Sequence, residues 1–162
     1  MDKPTPQMLK HFEERTKRHI DLVDKGLDKL RKELDGWPPR GKGHDASKYE
    51  NEERLGYIWI SEMHRCKRCK ETFKKPEGYD EFSHRTTGHH LKVNPHHPEY
   101  HTDITKMPAV DIAEMVADWW AMAQELGGTT KEWADKNVGK RWKFTKEQTE
   151  LIYGFIELLE GK

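Results

Sequence analysis

Apolar positions recur three or four residues apart over most of the chain, and strict alternation is almost absent. That spacing predicts an all-α protein, a compact helical bundle with no sheet. The first stripe is Leu9, Phe12, Thr16, His19, Val23, Leu27, Leu30 and Leu34, which predicts one long helix over 5–35. Thr5 is a candidate cap, Pro4 and Pro6 suit the entry, and Gly36 with Pro38-Pro39 stops it. Leu55, Ile58, Trp59 and Met63 predict a second helix over 50–63. Residues 64–88 lose the period and read as a loop excursion rich in Cys and Lys. Val110, Ala113, Met115, Val116, Trp119 and Met122 mark the clearest helix, 107–126, ended by Gly127-Gly128. Thr129 with Glu132, and Thr145 with Gln148, form capping-box patterns ahead of a short helix with Trp133 and of the last one. Leu151, Ile152, Phe155, Ile156 and Leu159 give that last helix an apolar face.

Composition changes the picture in two ways. Only 33% of the residues are hydrophobic and 36% are charged, yet the apolar ones are periodic, so the chain reads as one folded domain over 1–162. Lys plus Arg equals Asp plus Glu at 29, so the net charge is zero and no global field steers it to nucleic acid or an anionic membrane. No run is long enough to span a bilayer and no apolar signal core follows the N-terminus, which gives a cytoplasmic reading. Trp119-Trp120 and Trp133 are candidates for a homodimer interface, although six Trp in a small helical core need no partner.

The histidines carry the chemistry. There are ten, and seven fall between His64 and His101. Packing does not explain five imidazoles within residues 89–101, whereas metal ligation does. His44 and Asp45 stand side by side after a breaker-rich loop. His19 lies on the inward stripe of the first helix. Asp111, Glu114 and Asp118 share one face of the helix predicted over 107–126, and Asp118, deep in that helix, is the expected inward carboxylate. Glu52 and Glu53 read either as solvated or as groups that orient a ligand histidine. Asn94 is a candidate donor to a substrate oxygen. Mixed His and carboxylate ligands suit one or two divalent transition ions: Mn, Fe, Co, Zn or Ni. Cys66 and Cys69, with His84 and His89, approach zinc-knuckle spacing, so a zinc-stabilised nucleic-acid or protein-binding module is the alternative class.

The order His19, His44-Asp45, Asp118 resembles the H…HD…D order of the HD-domain metal-dependent phosphohydrolase superfamily. His44-Asp45-Ala46-Ser47-Lys48 is similar to its HD-x-[GS]-K variant, which carries extra histidines and two metals. His90, Asn94, His96-His97-Pro98-Glu99-Tyr100 and Glu114-Met115 with Asp118-Trp119 also resemble a small uncharacterised group met in phages and bacteria. The chain departs from single-metal members in having Lys48 where a glutamate acid often follows the HD pair. The resemblance implies an HD-type bundle and attack of a metal-activated water on phosphorus. His19, His44, Asp45 and Asp118 would hold one ion, Asp45 would bridge, and His90, His96 and His97 would surround a second. Asp45 and Lys48 would be the catalytic residues, with Lys48 donating to a phosphoryl oxygen. The implied substrate is a nucleotide or related phosphoester, acted on in the cytoplasm, or in the host cytoplasm if the source is a phage. A diiron oxidative enzyme on the same scaffold is a further alternative.

Overall fold

The computed structural model describes residues 3–31 and 40–161. Six helices account for most of it: α1 Pro6–Arg31, α2 Asn51–Cys69, α3 Tyr79–Val93, α4 Ala109–Leu126, α5 Thr130–Asn137 and α6 Lys146–Glu160. Short 3-10 turns at Gly41–Gly43, Ala46–Tyr49, Pro98–Tyr100 and Ile104–Lys106 fill the connections. Among the described residues the only extended pairing is an isolated bridge between Val138 and Trp142, so the chain is an all-α helical bundle. No described helix is long and apolar enough to cross a membrane. The expected stop of the first helix at Gly36 and Pro38-Pro39, and Leu34 on its stripe, lie outside the described residues.

The chain divides into two interleaved compact units. The first is Met1–Arg18 with Asp45–Asn94. Its core gathers Met8 and Phe12 of α1, Tyr57, Ile58 and Trp59 of α2, and Tyr79 of α3. Helices α2 and α3 cross closely because Gly56 has no side chain. A Cβ there would lie 2.6 Å from the Thr86 Cβ, well inside contact distance. Glu53 lies one turn before Gly56 on α2, and His89 and His90 lie one turn after Thr86 on α3. The close crossing therefore brings an acid of one helix to two histidines of the other.

The second unit is His19–His44 with Pro95–Lys162. Val23, Leu27 and Leu30 of α1 pack with Ile112, Ala113, Met115, Val116, Ala117, Trp119 and Ala121 of α4, and with Ile152, Phe155, Ile156 and Leu159 of α6. Gly26 lets α1 approach α4, since a Cβ there would be 3.2 Å from that of Ala117. Both expected capping boxes form. Thr129 accepts from the Glu132 amide and Thr145 from the Gln148 amide, while Glu132 and Gln148 bond back to the cap amides. Gln148 also donates to the Ile104 and Met107 carbonyls, tying the start of α6 to the turn before α4.

Two expectations need correction. Helix α2 runs on to Cys69, so the C-x-x-C pair lies on its last turn and not in a loop. Residues 79–88, expected to be part of the irregular excursion, form most of α3, Tyr79–Val93. The apolar period failed there for a physical reason: the buried positions of α3 are Tyr79, Thr86 and His90, so its inward face is largely polar.

Candidate metal centre

In the second unit, three histidines converge on one aspartate. His19 comes from α1, His44 from the end of the Gly41–Gly43 turn, and His96 from the segment before Pro98–Tyr100. Gly41 allows the turn to pass against Asp24 of α1, where any side chain would collide with the helix backbone. Proline at 98 opens the next turn and helps fix the chain behind His96. Glu99 beside it accepts from Arg141 at 2.7 Å and from the Trp142 indole at 3.1 Å, and Trp142 stacks on Trp119 of α4. The His96 segment is thus anchored to the helix that carries Asp118.

That helix turns its acids inward. Asp111, Glu114 and Asp118 follow the i, i+3, i+7 spacing, and Asp111 and Glu114 are buried. His19 Nε2 lies 3.0 Å from Asp118 Oδ1, and His44 Nε2 lies 3.8 Å from the same oxygen. The rings of His44 and His96 stand 4.3 Å apart, and those of His19 and His44 5.3 Å. His44, His96 and Asp118 each offer a ligand atom, all within 4.8 Å of one another. His44 and His96 are 1% and 2% exposed.

Transition ions bind His and carboxylate atoms at about 2.0–2.2 Å, so neighbouring ligand atoms around one ion sit about 3 Å apart. His19 Nε2 and Asp118 Oδ1, 3.0 Å apart, meet this spacing, and the His44, His96 and Asp118 atoms, within 4.8 Å of one another, lie wider than it. Three buried imidazoles around a carboxylate have no apolar packing purpose, and their donor set suits a divalent transition ion.

Glu114 backs the group. Its Oε1 is 2.9 Å from His44 Nδ1 and 3.5 Å from His96 Nδ1. Burial alone would raise the Glu114 pKa, but the bonds from His44 and His96 outweigh it and lower the value to about 2. Asp118 is likewise held well below the carboxylate range by His19 and His44 against the opposing effect of burial. Arg40 ion-pairs with Asp111 and lies 3.5 Å from Glu114 Oε2, supplying positive charge behind the carboxylates. His101 is bound to the Pro95 carbonyl at 2.8 Å and lies 3.5 Å from Asp111, which gives it a structural use.

The first unit holds a second polar cluster. Asp45 has φ +58°, a left-handed conformation that costs a non-glycine residue about 1 kcal/mol. Its carboxylate bonds Lys48 and lies 3.0 Å from His90 Nε2. The other ring nitrogen, His90 Nδ1, lies 2.8 Å from Glu53 Oε2. Glu53 is fully buried. It also accepts from Ser47 at 3.0 Å, and its second oxygen lies 2.8 Å from His89 Nδ1. Burial opposes ionisation of Glu53, but His90 and His89 lower its pKa. Burial likewise disfavours charged His90, yet Asp45 and Glu53 raise its pKa. Lys48 Nζ also sits 4.8 Å from the centre of the Tyr57 ring. The Asn94 amide donates to Ser47 Oγ and to the His90 carbonyl, both at 2.9 Å.

Of the expected site residues, the second unit brings together His19, His44, His96 and Asp118, with His97 beside His96 at 4.1 Å between rings. The first unit brings together Asp45, Lys48, His90 and Asn94. Sequence reasoning missed Glu114 and Ser47 as partners and left Glu53 undecided. The signal for both glutamates was their helical register. Glu114 shares a face with Asp118, and Glu53 lies one turn before the glycine at the crossing. Cys66 is buried against Glu62 and Arg65 while Cys69 is exposed, and among the described residues no group with metal-ligand spacing contains either.

Fold and cluster together define an all-helical protein with a buried histidine–aspartate group able to hold a metal ion. The chain belongs to the family of unknown function DUF5662, which matches residues 8–158. Neither the curated proteins nor the solved structures contain a match to it.

Proposed function

We propose that the protein is a metal-dependent phosphohydrolase of HD-domain type acting on a nucleotide or related phosphoester. The observation that carries this reading is the buried group His44, His96 and Asp118, with His19 3.0 Å from the same aspartate. The H…HD…D order and the HD-x-S-K segment add the reaction class by resemblance.

His19, His44, His96 and Asp118 would hold one ion, and Asp45 and His90 belong to the proposed binding of a second. A bound ion would lower the pKa of a coordinated water and screen charge developing on phosphorus. Glu114 keeps the His44 ring oriented. Asp45 holds Lys48, whose ammonium is the proposed donor to a phosphoryl oxygen; a point charge of this kind needs no fixed fork geometry. Asn94 keeps Ser47 and the end of α3 in place, and any contact it makes to substrate belongs to the proposal.

The test is a screen of nucleotides and model phosphoesters with Mn, Co or Fe, on wild type and on Asp118→Ala. Release of phosphate or nucleoside by wild type alone supports the reading. Absence of turnover from a metal-loaded wild type across the screen sinks it, and two irons with an oxidation-sensitive visible spectrum would move the assignment to oxidative chemistry.

A further inference from the structure

The two units repeat one arrangement that the ligand set alone does not require. In each, a buried glutamate faces a histidine Nδ1 and an aspartate oxygen faces Nε2 of the same ring. Glu53 Oε2 is 2.8 Å from His90 Nδ1, and Asp45 Oδ1 is 3.0 Å from His90 Nε2. Glu114 Oε1 is 2.9 Å from His44 Nδ1, and Asp118 Oδ1 is 3.8 Å from His44 Nε2. Both glutamates come from helices, Glu53 from the first turn of α2 and Glu114 from α4. Neither is needed to solubilise the fold, since they are 0% and 6% exposed.

An ionised carboxylate only accepts hydrogen bonds. At 2.8–2.9 Å an ionised glutamate calls for the proton on the ring nitrogen that faces it, against the Asn94 amide nitrogen that also lies 3.0 Å from His90 Nδ1. In the neutral imidazole that leaves a lone pair on Nε2, directed toward the aspartate oxygen. Two lone pairs at this separation repel unless a proton or a metal cation lies between them, and the test below separates the two. A carboxylate behind the ring also makes the imidazole a stronger donor, as it does where metal-bound histidines are backed by acids.

We propose that Glu53 and Glu114 are positioning residues that fix the tautomers of His90 and His44, making Nε2 the ligating atom of each. The proposal deepens the metal reading above and rests on it for the word ligating. The tautomer itself does not depend on any metal. Glu114 serves this role while also facing His96, and Glu53 serves it while also facing His89.

The experiment uses the full chain and two readouts. Nitrogen-15 NMR of histidine-labelled, metal-free protein near pH 8 reads which nitrogen of His44 and His90 carries the proton, with assignment by single His→Gln variants. Co2+ titration, followed by visible absorption, compares wild type, Glu53→Gln and Glu114→Gln. Protonated Nδ1 in both rings, with a loss of about 10–100-fold in Co2+ affinity in each variant and retained helical circular dichroism, is the expected result. Protonation of either ring at Nε2 overturns the proposal, as does wild-type affinity in a folded glutamine variant. If the variants do not fold, the wild-type tautomers decide. A wild type that binds no Co2+ would refute the metal reading, whereas Co2+ binding lost in His44→Ala but unaffected in Glu114→Gln would refute only the role given to Glu114.

Discussion

The cluster of the first unit and that of the second use the same residue types but distribute charge differently. In the first, one imidazole, His90, lies between two carboxylates, and Lys48 is tied to Asp45 as a permanent cation. Arg40 is the corresponding permanent cation in the second unit, yet it stands behind the acids, on Asp111 and Glu114, while three imidazoles gather around Asp118. In the first, Lys48 offsets part of the carboxylate charge, and Ser47, His89 and His90 bond to Glu53. In the second, three imidazoles and one carboxylate make a donor set that suits a transition ion. Burial of both sets is expensive unless every charge is matched. The contrast therefore separates a cluster with a permanent cation beside its aspartate from one in which imidazoles surround the aspartate.

The sharpest way to break the comparison is to remove the acid at the heart of the first cluster. Glu53→Ala leaves His89, His90 and Ser47 without their shared partner, and the expected loss is about 3–5 kcal/mol in a denaturant melt. A loss under about 1 kcal/mol would mean that the cluster is poorly satisfied to begin with.

The helix crossing beneath that cluster comes next. Gly56→Ala must push Thr86 aside and is expected to cost about 1–3 kcal/mol. Gly88→Ala on α3 meets open space and is expected to stabilise by up to about 1 kcal/mol, through helix propensity. Equal effects of the two substitutions, read as melting temperatures, would contradict the close crossing.

Stability against pH should separate the two kinds of charge. Glu53, Glu114 and Asp118 have lowered folded pKa values, so their contribution is complete above the unfolded carboxylate value. It is lost as pH falls through the folded values, about 2 for Glu114. His90 has a raised folded pKa. Its contribution is complete below the unfolded value of 6.5 and is lost as pH rises through the folded one. In chelator, the urea midpoint should fall on both sides, and His90→Gln should remove the alkaline decline while leaving the acid one.

The smallest expected effect concerns the cysteines. Cys66→Ala with Cys69→Ala should leave metal content unchanged, measured by elemental analysis. Loss of a zinc ion in that double variant would favour a zinc-stabilised module.

Much of the fold was legible because five of the six described helices announce themselves through apolar stripes or capping boxes. Thr129–Glu132 and Thr145–Gln148 did so through pairs that close reciprocally in the structure. His19 was legible as an inward histidine because it sits on the stripe that includes Phe12 and Val23, and Asp118 because it lies far from any helix cap. Helix α3 was not legible, since its buried positions are Tyr79, Thr86 and His90 and not an apolar stripe. Glu53 was legible only as one of two readings, and Glu114 not as a partner of a histidine. An acid on a helix reads as solvated until the partner helix or turn that buries it is known, and such pairings are separated here by 37 and 70 residues.

The most direct test of the central claim is the metal content of untagged protein, wild type against His44→Ala and Asp118→Ala, with circular dichroism to show that each variant folds. The account predicts at least one equivalent of a transition metal in wild type and its loss in both folded variants. Metal retained at wild-type level in both would contradict the assignment of the His44, His96 and Asp118 group as the metal centre.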